Sequence, residues 1–433
     1  MTKNDTAADT LAPTPAPPGF PRVLLPFRRS SYRRLAAALF FALCTSGLWV
    51  VAQVWEVVRI GGGASELSFV ASAASLGALL PLLLGGAVAD RVAQKTILIV
   101  VQGAHTLVLT TAALLALTDQ LRLWHLVVVA FLGGTATAFY FPAYSAWLPA
   151  LLAEDELMAV NGFEGMLRPT IQQAAGPAVG SVIIAAASPG AAMAVAAATA
   201  FAAFCAFLAV PRTPVRRRDD ARSVVADIAE GFRYMVATRW LLASLIFASL
   251  MVMMLMGPLQ VVLPFLIKDR LGGGAEQHAL VLAAWGIGGA VGSLVMGSLR
   301  MPRRYLTVLI GLWGVSCLPL VAIAFAGELW IIIAAAFAVG AMFSSPMVLW
   351  GTLLQRRVPP HLLGRITSLD FFVSIAFLPV SMAVAGPVAE LIGTPATFLA
   401  AGTVPAIAAV AAIVLGRLPA DELAHPLAPE RAL

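Results

Sequence analysis

Twelve apolar stretches punctuate the chain, each long enough, at about 1.5 Å per helical residue, to cross a hydrocarbon core roughly 30 Å thick. They fall near 35–58, 66–89, 96–117, 122–146, 157–186 and 190–210, then near 240–266, 278–299, 305–326, 330–351, 362–390 and 396–416. Inside lipid an unpaired backbone N–H or C=O finds no water, so such a chain crosses as helices. Only 12% of the 433 residues are charged and 60% are hydrophobic, too little polarity to cover a water-facing surface. A cytoplasmic enzyme, a secreted disulfide scaffold and a disordered tail protein are excluded.

Charge geography gives the orientation. Of the 28 Lys and Arg, 23 fall in the tails and gaps that share one side with both ends of the chain. Arg59, Arg122, Lys268 and Arg270 fall opposite, and Arg168 lies within a span. The positive-inside rule therefore places both termini in the cytoplasm, as in a multi-pass protein of the inner membrane. A net charge of +6 would hint at nucleic acid in a soluble chain; here it serves orientation, so the expected partner is the lipid bilayer and no nucleic acid. Cys44, Cys205 and Cys317 lie in apolar runs without CxxC spacing and read as small buried hydrophobes. With no GxxxxGK[ST] loop to cradle ATP, neither cofactor nor metal is expected.

The runs group as six and six. A Pro-rich tail, 1–34, precedes a first bundle at 35–210; a linker at 211–239 leads to a second bundle at 240–416 and a tail at 417–433. The linker opens on Pro211, Pro214 and Arg216-Arg217-Arg218. It then places Val225, Ile228, Phe232 and Val236 three and four apart, the pattern of an amphipathic helix on the inner leaflet. Two echoes point to duplicated halves. Gly77-Ala78 through Gly85 in span two recurs as Gly289-Ala290 through Gly297 in span eight, and Gly176-Pro177 in span five as Gly386-Pro387 in span eleven.

Ionisable side chains at membrane depth are costly and so mark functional candidates. Glu164 and Arg168, four apart on one face of span five, read either as a substrate- or proton-linked switch or as a permanent structural clasp. Arg168 lies roughly 16 Å in, near the midplane. Asp370 in span eleven reads as a proton carrier, or as a carboxylate at the inner mouth paired with Arg365 or another loop arginine. His105, mid-span in 96–117, reads as a proton relay or a hydrogen-bonded packing residue. Glu56 and Arg59 read as an exposed-rim pair. Trp49, Trp55, Phe139, Tyr140, Phe141, Trp285, Trp313, Phe343 and Trp350, with Met251, Met253, Met254 and Met256, are available to line a large apolar cavity that adapts to varied ligands. Gly176, Pro177 and Gly180 form a seam where helices approach and bend.

The run Gly85-Gly86-Ala87-Val88-Ala89-Asp90-Arg91-Val92-Ala93-Gln94-Lys95 resembles the loop 2–3 signature of the major facilitator superfamily. Phe139-Tyr140-Phe141-Pro142-Ala143, Leu148-Pro149-Ala150-Leu151, Glu156-Leu157-Met158-Ala159-Val160-Asn161, Gly176-Pro177-Ala178-Val179-Gly180, Leu263-Pro264 and Leu363-Gly364-Arg365-Ile366 are similar to its enterobactin-exporter and macrolide-efflux branch. The resemblance implies an all-α integral membrane fold of twelve transmembrane helices in two pseudosymmetric six-helix bundles. It implies a gate motif of Gly85, Gly86, Asp90, Arg91 and Lys95, in which Asp90 binds the start of span eleven and Arg91 and Lys95 form a charge relay. Two departures stand out. Members of this branch often carry an Asp after a Gly in span one, where this chain reads Cys44-Thr45-Ser46-Gly47-Leu48-Trp49. The second-half counterpart of the signature, Arg300-Met301-Pro302-Arg303-Arg304, also lacks an acid. Coupling that relies on the first-span acid elsewhere must use another residue here.

The expectation is a secondary transporter and not an enzyme, working as a monomer. It would move a small amphipathic organic molecule, such as a siderophore, macrolide or other drug-like compound, outward by alternating access in exchange for protons. A lipid or lysolipid transporter is the same-class alternative. A membrane-embedded enzyme would show a cluster of His, Asp or Ser at one face, and a sensor would show a folded domain in the linker; the sequence carries only scattered singles and a short linker.

Overall fold

Helices stand where the apolar runs place them. The computed structural model describes residues 26–82, 92–152, 160, 163–165, 167–211, 224–299 and 301–427. Among these, ten helices are long and apolar enough to cross a membrane: spans one (Ser30–Arg59), three (Gln94–Leu117), four (Leu123–Ser145), six (Pro189–Ala209) and seven (Arg239–Leu271), then eight (Ala275–Ser298), nine (Tyr305–Ala324), ten (Leu329–Arg357), eleven (Leu369–Ile392) and twelve (Thr394–Leu415). Span two begins as Ala64–Leu79, and span five comprises Pro169–Ala175 followed by Gly176–Ala186. Together they complete the twelve-helix, two-bundle architecture expected from the sequence, and no strand occurs among the described residues.

Each half is stitched by the same close seam. A Cβ added at Gly77 would lie 2.1 Å from the Phe131 carbonyl oxygen, and one at Gly134 would lie 2.0 Å from that of Ala74, joining spans two and four. Spans eight and ten repeat this, Gly288 meeting the Phe337 oxygen at 2.1 Å and Gly340 that of Trp285 at 2.2 Å. In both seams the glycine sits three residues beyond the carbonyl touched by its partner helix. Only hydrogen leaves room for such backbone approach, which matters where lipid offers helices no hydrophobic drive to associate.

Further pairs follow the same duplication. Span one crosses span five at Gly47, whose added Cβ would lie 3.0 Å from the Ile171 oxygen; span seven crosses span eleven at Gly257, 2.3 Å from the Ser381 oxygen. At the end opposite the linker, Arg59 donates to the Ala116 oxygen at 3.3 Å and Arg270 to the Ala324 oxygen at 2.8 Å. Each half thus ends its first span on a cation that caps the C-terminus of its third. This corrects the exposed-rim reading: Glu56 is fully buried and accepts from Arg59 at 2.9 and 2.7 Å, while Arg59 also reaches Asp119 at 2.6 Å.

The echoes fare differently. The glycine echo of spans two and eight shifts by one residue, because Gly288 rather than Gly289 makes the equivalent contact. Gly176 and Gly386 are not packing counterparts. Gly176 lies on Gly47 of its own half, with an added Cβ 2.7 Å from the Gly47 Cα, whereas Gly386 lies on Ala64 of the other half, 2.3 Å from its oxygen. Span eleven divides into Pro360–Ile375 and Leu378–Ile392 ahead of Pro379, and the second helix absorbs Pro387.

The halves meet between mid-depth and the end opposite the linker, where span two runs along Leu378–Ile392 and span five packs on span eight. Here the Gly386 amide donates to Ser68 Oγ at 2.9 Å and the Ser65 amide to Glu390 Oε1 at 3.2 Å. A carboxylate of one half therefore sits at the positive end of a helix in the other. The linker helix, Val224–Ala237, packs on spans seven and eleven. Met235 faces the protein, while Phe232 and Val236 are exposed; the side chains of Val225 and Ile228 lie outside the described set. Cys205 is exposed rather than buried, Cys44 is half-buried and Cys317 is buried.

Candidate substrate and coupling site

Spans four and five bring three polar groups together inside the first half. The Tyr144 hydroxyl donates to Oε1 of buried Glu164 at 2.5 Å, and Arg168 Nη2 donates to Oε2 at 3.1 Å. The Arg168 guanidinium lies over the rings of Phe141 and Tyr144, 5.3 and 5.4 Å from their centroids, so its positive charge meets both a carboxylate and aromatic faces. Tyr140 stacks on Tyr144 at 5.6 Å. The hydroxyls of Tyr140 and Tyr32 are buried with open hydrogen-bonding capacity. Directly beyond Arg168 the backbone widens into a π-helix, Pro169–Ala175, opposite Gly47. Such wide turns inside α-helices recur at functional sites.

The second half repeats the arrangement. Trp350 Nε1 of span ten donates to Asp370 Oδ2 at 2.8 Å, and Ser374 Oγ donates to Oδ1 at 3.3 Å. Adding 206 converts Tyr144, Glu164 and Arg168 into Trp350, Asp370 and Ser374 (144 to 350, 164 to 370, 168 to 374). Each half thus sets an acid on its fifth helix, an aromatic donor 20 residues earlier on its fourth, and a second donor one turn beyond the acid. Sequence reasoning singled out Glu164, Arg168 and Asp370 and named Trp350 only as a cavity-lining aromatic, not as the partner of Asp370; it missed Tyr144 and Ser374. The signal was the repeated aromatic-to-acid interval. Of the readings offered for Asp370, the observed partners are an indole and a hydroxyl; the side chain of Arg365 lies outside the described set.

The other candidates stand apart. Lys95 Nζ donates to the oxygens of Leu208 and Val210 at 2.8 and 2.5 Å, capping the carbonyl end of span six. Gly85, Gly86, Asp90 and Arg91 lie outside the described residues. His105 Nε2 is 3.1 Å from the Gly133 oxygen, between spans three and four. Gly176 and Pro177 are buried where the π-helix returns to α, and an added Cβ at Gly180 would meet Leu48 at 3.5 Å, ordinary contact. Among the described residues no cluster of three His, Cys, Asp or Glu could hold a metal.

A family model described as transmembrane secretion effector matches residues 22–431. The chain is 29% identical to the multidrug efflux pump Tap of Mycolicibacterium fortuitum, over 90% of this chain and 97% of the relative. It is 24% identical to macrolide efflux protein A of Streptococcus pyogenes, over 84% of this chain and 90% of the relative. It is also 24% identical to the enterobactin exporter EntS of Salmonella typhi, over 78% and 81%. In fold it is similar to the crystal structure of the nucleoside transporter NupG, with TM-score 0.71 at 15% identity, covering 89% of this chain and 99% of that one.

Proposed function

The chain belongs to the transmembrane secretion effector family of the major facilitator superfamily, and from that premise we propose that it exports small amphipathic organic molecules by alternating access, in exchange for protons. Its relatives handle multiple drugs, macrolides and enterobactin, which supports a siderophore-, macrolide- or drug-like substrate class. The units that rock are 35–210 and 240–416, tethered by 211–239, with the linker end in the cytoplasm as the arginine asymmetry requires.

The observation that carries this reading is the pair of matching acid sites, Tyr144–Glu164–Arg168 and Trp350–Asp370–Ser374, one in each half. A major facilitator places its site where repeats face each other near the midplane. Arg168 offers substrate a cation amid the aromatic rings of Phe141 and Tyr144. Asp370, held by neutral donors, releases its proton toward the cytoplasm when substrate loads and takes one from the other side when substrate leaves. The seam between spans two and eleven closes the end opposite the linker while loading occurs. The resemblance to the loop 2–3 signature assigns the opposing gate to Gly85, Gly86, Asp90, Arg91 and Lys95, of which Lys95 caps the end of span six.

The test is uptake of a panel of such compounds into inverted vesicles, with and without a pH gradient, comparing the intact protein with Glu164→Gln, Arg168→Ala and Asp370→Asn. We expect gradient-driven accumulation that Asp370→Asn uncouples and Arg168→Ala weakens through substrate affinity. Unchanged accumulation in all three variants would remove these residues from the mechanism, and absence of any pH-dependent uptake would remove proton antiport.

A further inference from the structure

Beyond span twelve the chain turns at Arg417, whose φ of 50° lies in the left-handed region, and lays the short helix Leu418–Ala424 against the linker end of the second half. We propose that this surface helix positions Asp370, acting through Arg357, Trp240 and Trp350, an inference that rests on the reading of Asp370 as the proton carrier. Arg357 and Trp240 are then positioning residues, two contacts removed from the carboxylate they serve.

The helix itself is firmly fastened. Leu418 is fully buried, and the buried Glu422 accepts from the Leu306 amide at 3.1 Å through Oε2 and from the Thr307 hydroxyl at 2.5 Å through Oε1. A carboxylate thus sits on the positive end of the helix Tyr305–Ser316. The Tyr305 hydroxyl adds a bond to the His425 oxygen at 2.9 Å. Held this way, the neighbouring Asp421 pairs with Arg357, the last residue of span ten, whose side chain is only 9% exposed. A guanidinium so far from water keeps its place only while it is paired.

From Arg357 the contacts run inward. Its guanidinium lies over the ring of Trp240 on span seven, 4.8 Å from the centroid, and Trp240 meets Trp350 edge to face at 6.1 Å. Trp313 of span nine packs on Trp350 at 6.2 Å and is itself tied, through Nε1, to the Phe343 oxygen of span ten at 3.1 Å. Trp350 is buried among these rings, and its Nε1 donates to Asp370 Oδ2 at 2.8 Å. Arg357 and Trp350 also stand two helical turns apart on nearly the same face of span ten. Subtracting 206 converts Arg357 into Leu151, an apolar residue at the end of span four. The cation therefore stands in the half that carries Asp370 and not at the matching place in the other.

The test labels the full-length protein with 5-fluorotryptophan in nanodiscs and follows the Trp350 fluorine resonance, assigned by its loss in Trp350→Phe. Asp370→Ala gives the position of that indole without its acceptor. Asp421→Asn and Arg357→Gln should move the resonance part-way there, with the Trp350–Asp370 bond loosened by about fivefold, the weight of one hydrogen bond. Arg357→Lys, which keeps the ion pair and the charge over Trp240, should restore most of the intact position. Asp269→Asn, which breaks an exposed ion pair with Lys268 at the opposite end, should leave the resonance where it is. In proteoliposomes under a pH gradient, Arg357→Gln should lower substrate accumulation several-fold while exchange at equal pH persists. If Arg357→Gln misfolds, Arg357→Gln/Asp421→Asn removes both charges and strands neither. The proposal is overturned if the resonance stays in place in Asp421→Asn and in the double variant, or if accumulation falls in Asp370→Asn but not when Arg357 is replaced. A moved resonance with accumulation unchanged even in Asp370→Asn would fell the proton-carrier reading and leave the positioning of Asp370 by the helix standing.

Discussion

Two acids occupy equivalent places in the two halves, yet their company differs. Glu164 is held by a tyrosine and an arginine, whereas Asp370 is held by a tryptophan and a serine. In the first half a full positive charge lies against the carboxylate, so losing the negative charge would strand Arg168. In the second half both observed donors are neutral, and a proton can come and go without stranding a partner. The same geometry stands in both halves, and the one position that differs in charge, Arg168 against Ser374, is the ground for proposing the first copy as a polar anchor and the second as the proton carrier.

The sharpest way to break that contrast is to truncate the differing position in each half. Arg168→Ala leaves a buried carboxylate without its cation and should cost about 3 kcal/mol of stability, the low end for such pairs because the arginine side chain is 25% exposed. Ser374→Ala removes one neutral hydrogen bond and should cost about 1 kcal/mol. Denaturant unfolding in detergent reads both. Equal costs would mean that the Glu164–Arg168 contact is no more than a surface ion pair, and the functional division between halves would fall with it.

A second test asks whether the scaffolds holding the acids are as alike as their glycine seams imply. Gly134→Ala and Gly340→Ala each force a methyl against a carbonyl oxygen, at 2.0 and 2.2 Å before relaxation, and should each cost about 2 kcal/mol. Gly311→Ala, with nothing within 4 Å of its added Cβ, should be nearly neutral. Thermal unfolding of the three checks this. A large loss in one half alone would show that the two seams, though geometrically matched, carry unequal shares of stability.

Much of this was legible in the sequence, and the limits are physical. Apolar run length sets where helices cross because lipid leaves the backbone no alternative, so ten of the crossings match among the described residues. Glu164, Arg168 and Asp370 were conspicuous because charges at depth are rare, and the i to i+4 spacing already put two of them on one face. The contacts of Tyr144 with Glu164 and of Trp350 with Asp370 were hidden by topology: a partner 20 residues away, on the preceding helix, needs the helices placed before the contact exists. Glu56 was misjudged for a similar reason, since its burial depends on Arg59 reaching across to the end of span three. The Gly176 and Gly386 echo misled because identical dipeptides pack on different neighbours, one within a half and one across the interface.

The proton test is smaller in free energy but closer to function. A gradient of one pH unit coupled through one proton sustains about a tenfold accumulation. Asp370→Asn should reduce that ratio to one while leaving substrate exchange at equal pH intact. Glu164→Gln should lower affinity and leave the ratio per bound substrate near the intact value. Measured in proteoliposomes, the reverse pattern would transfer the proton to the first half and invert the division drawn from Arg168 and Ser374.

The smallest expected effect concerns how the unlike halves are kept in register at the end opposite the linker. Ser68 accepts from the Gly386 amide and Glu390 accepts from the Ser65 amide, so each half supplies one side-chain oxygen to the other's backbone. Each bond contributes about 1 kcal/mol to the state in which that end is shut. Ser68→Ala or Glu390→Ala should therefore shift the balance toward opening there by roughly fivefold, and the pair by more, because the bonds break together. Spin-label distances between spans two and eleven report that balance directly. Rates of labelling at an engineered cysteine near Gly63 provide a second reading. If neither variant changes the distance distribution, these two bonds are incidental to closure. The apolar and glycine packing of Ala64 on Gly386 then holds the halves together alone, and Gly386→Ala, whose added Cβ would lie 2.3 Å from the Ala64 oxygen, becomes the substitution that opens the seam.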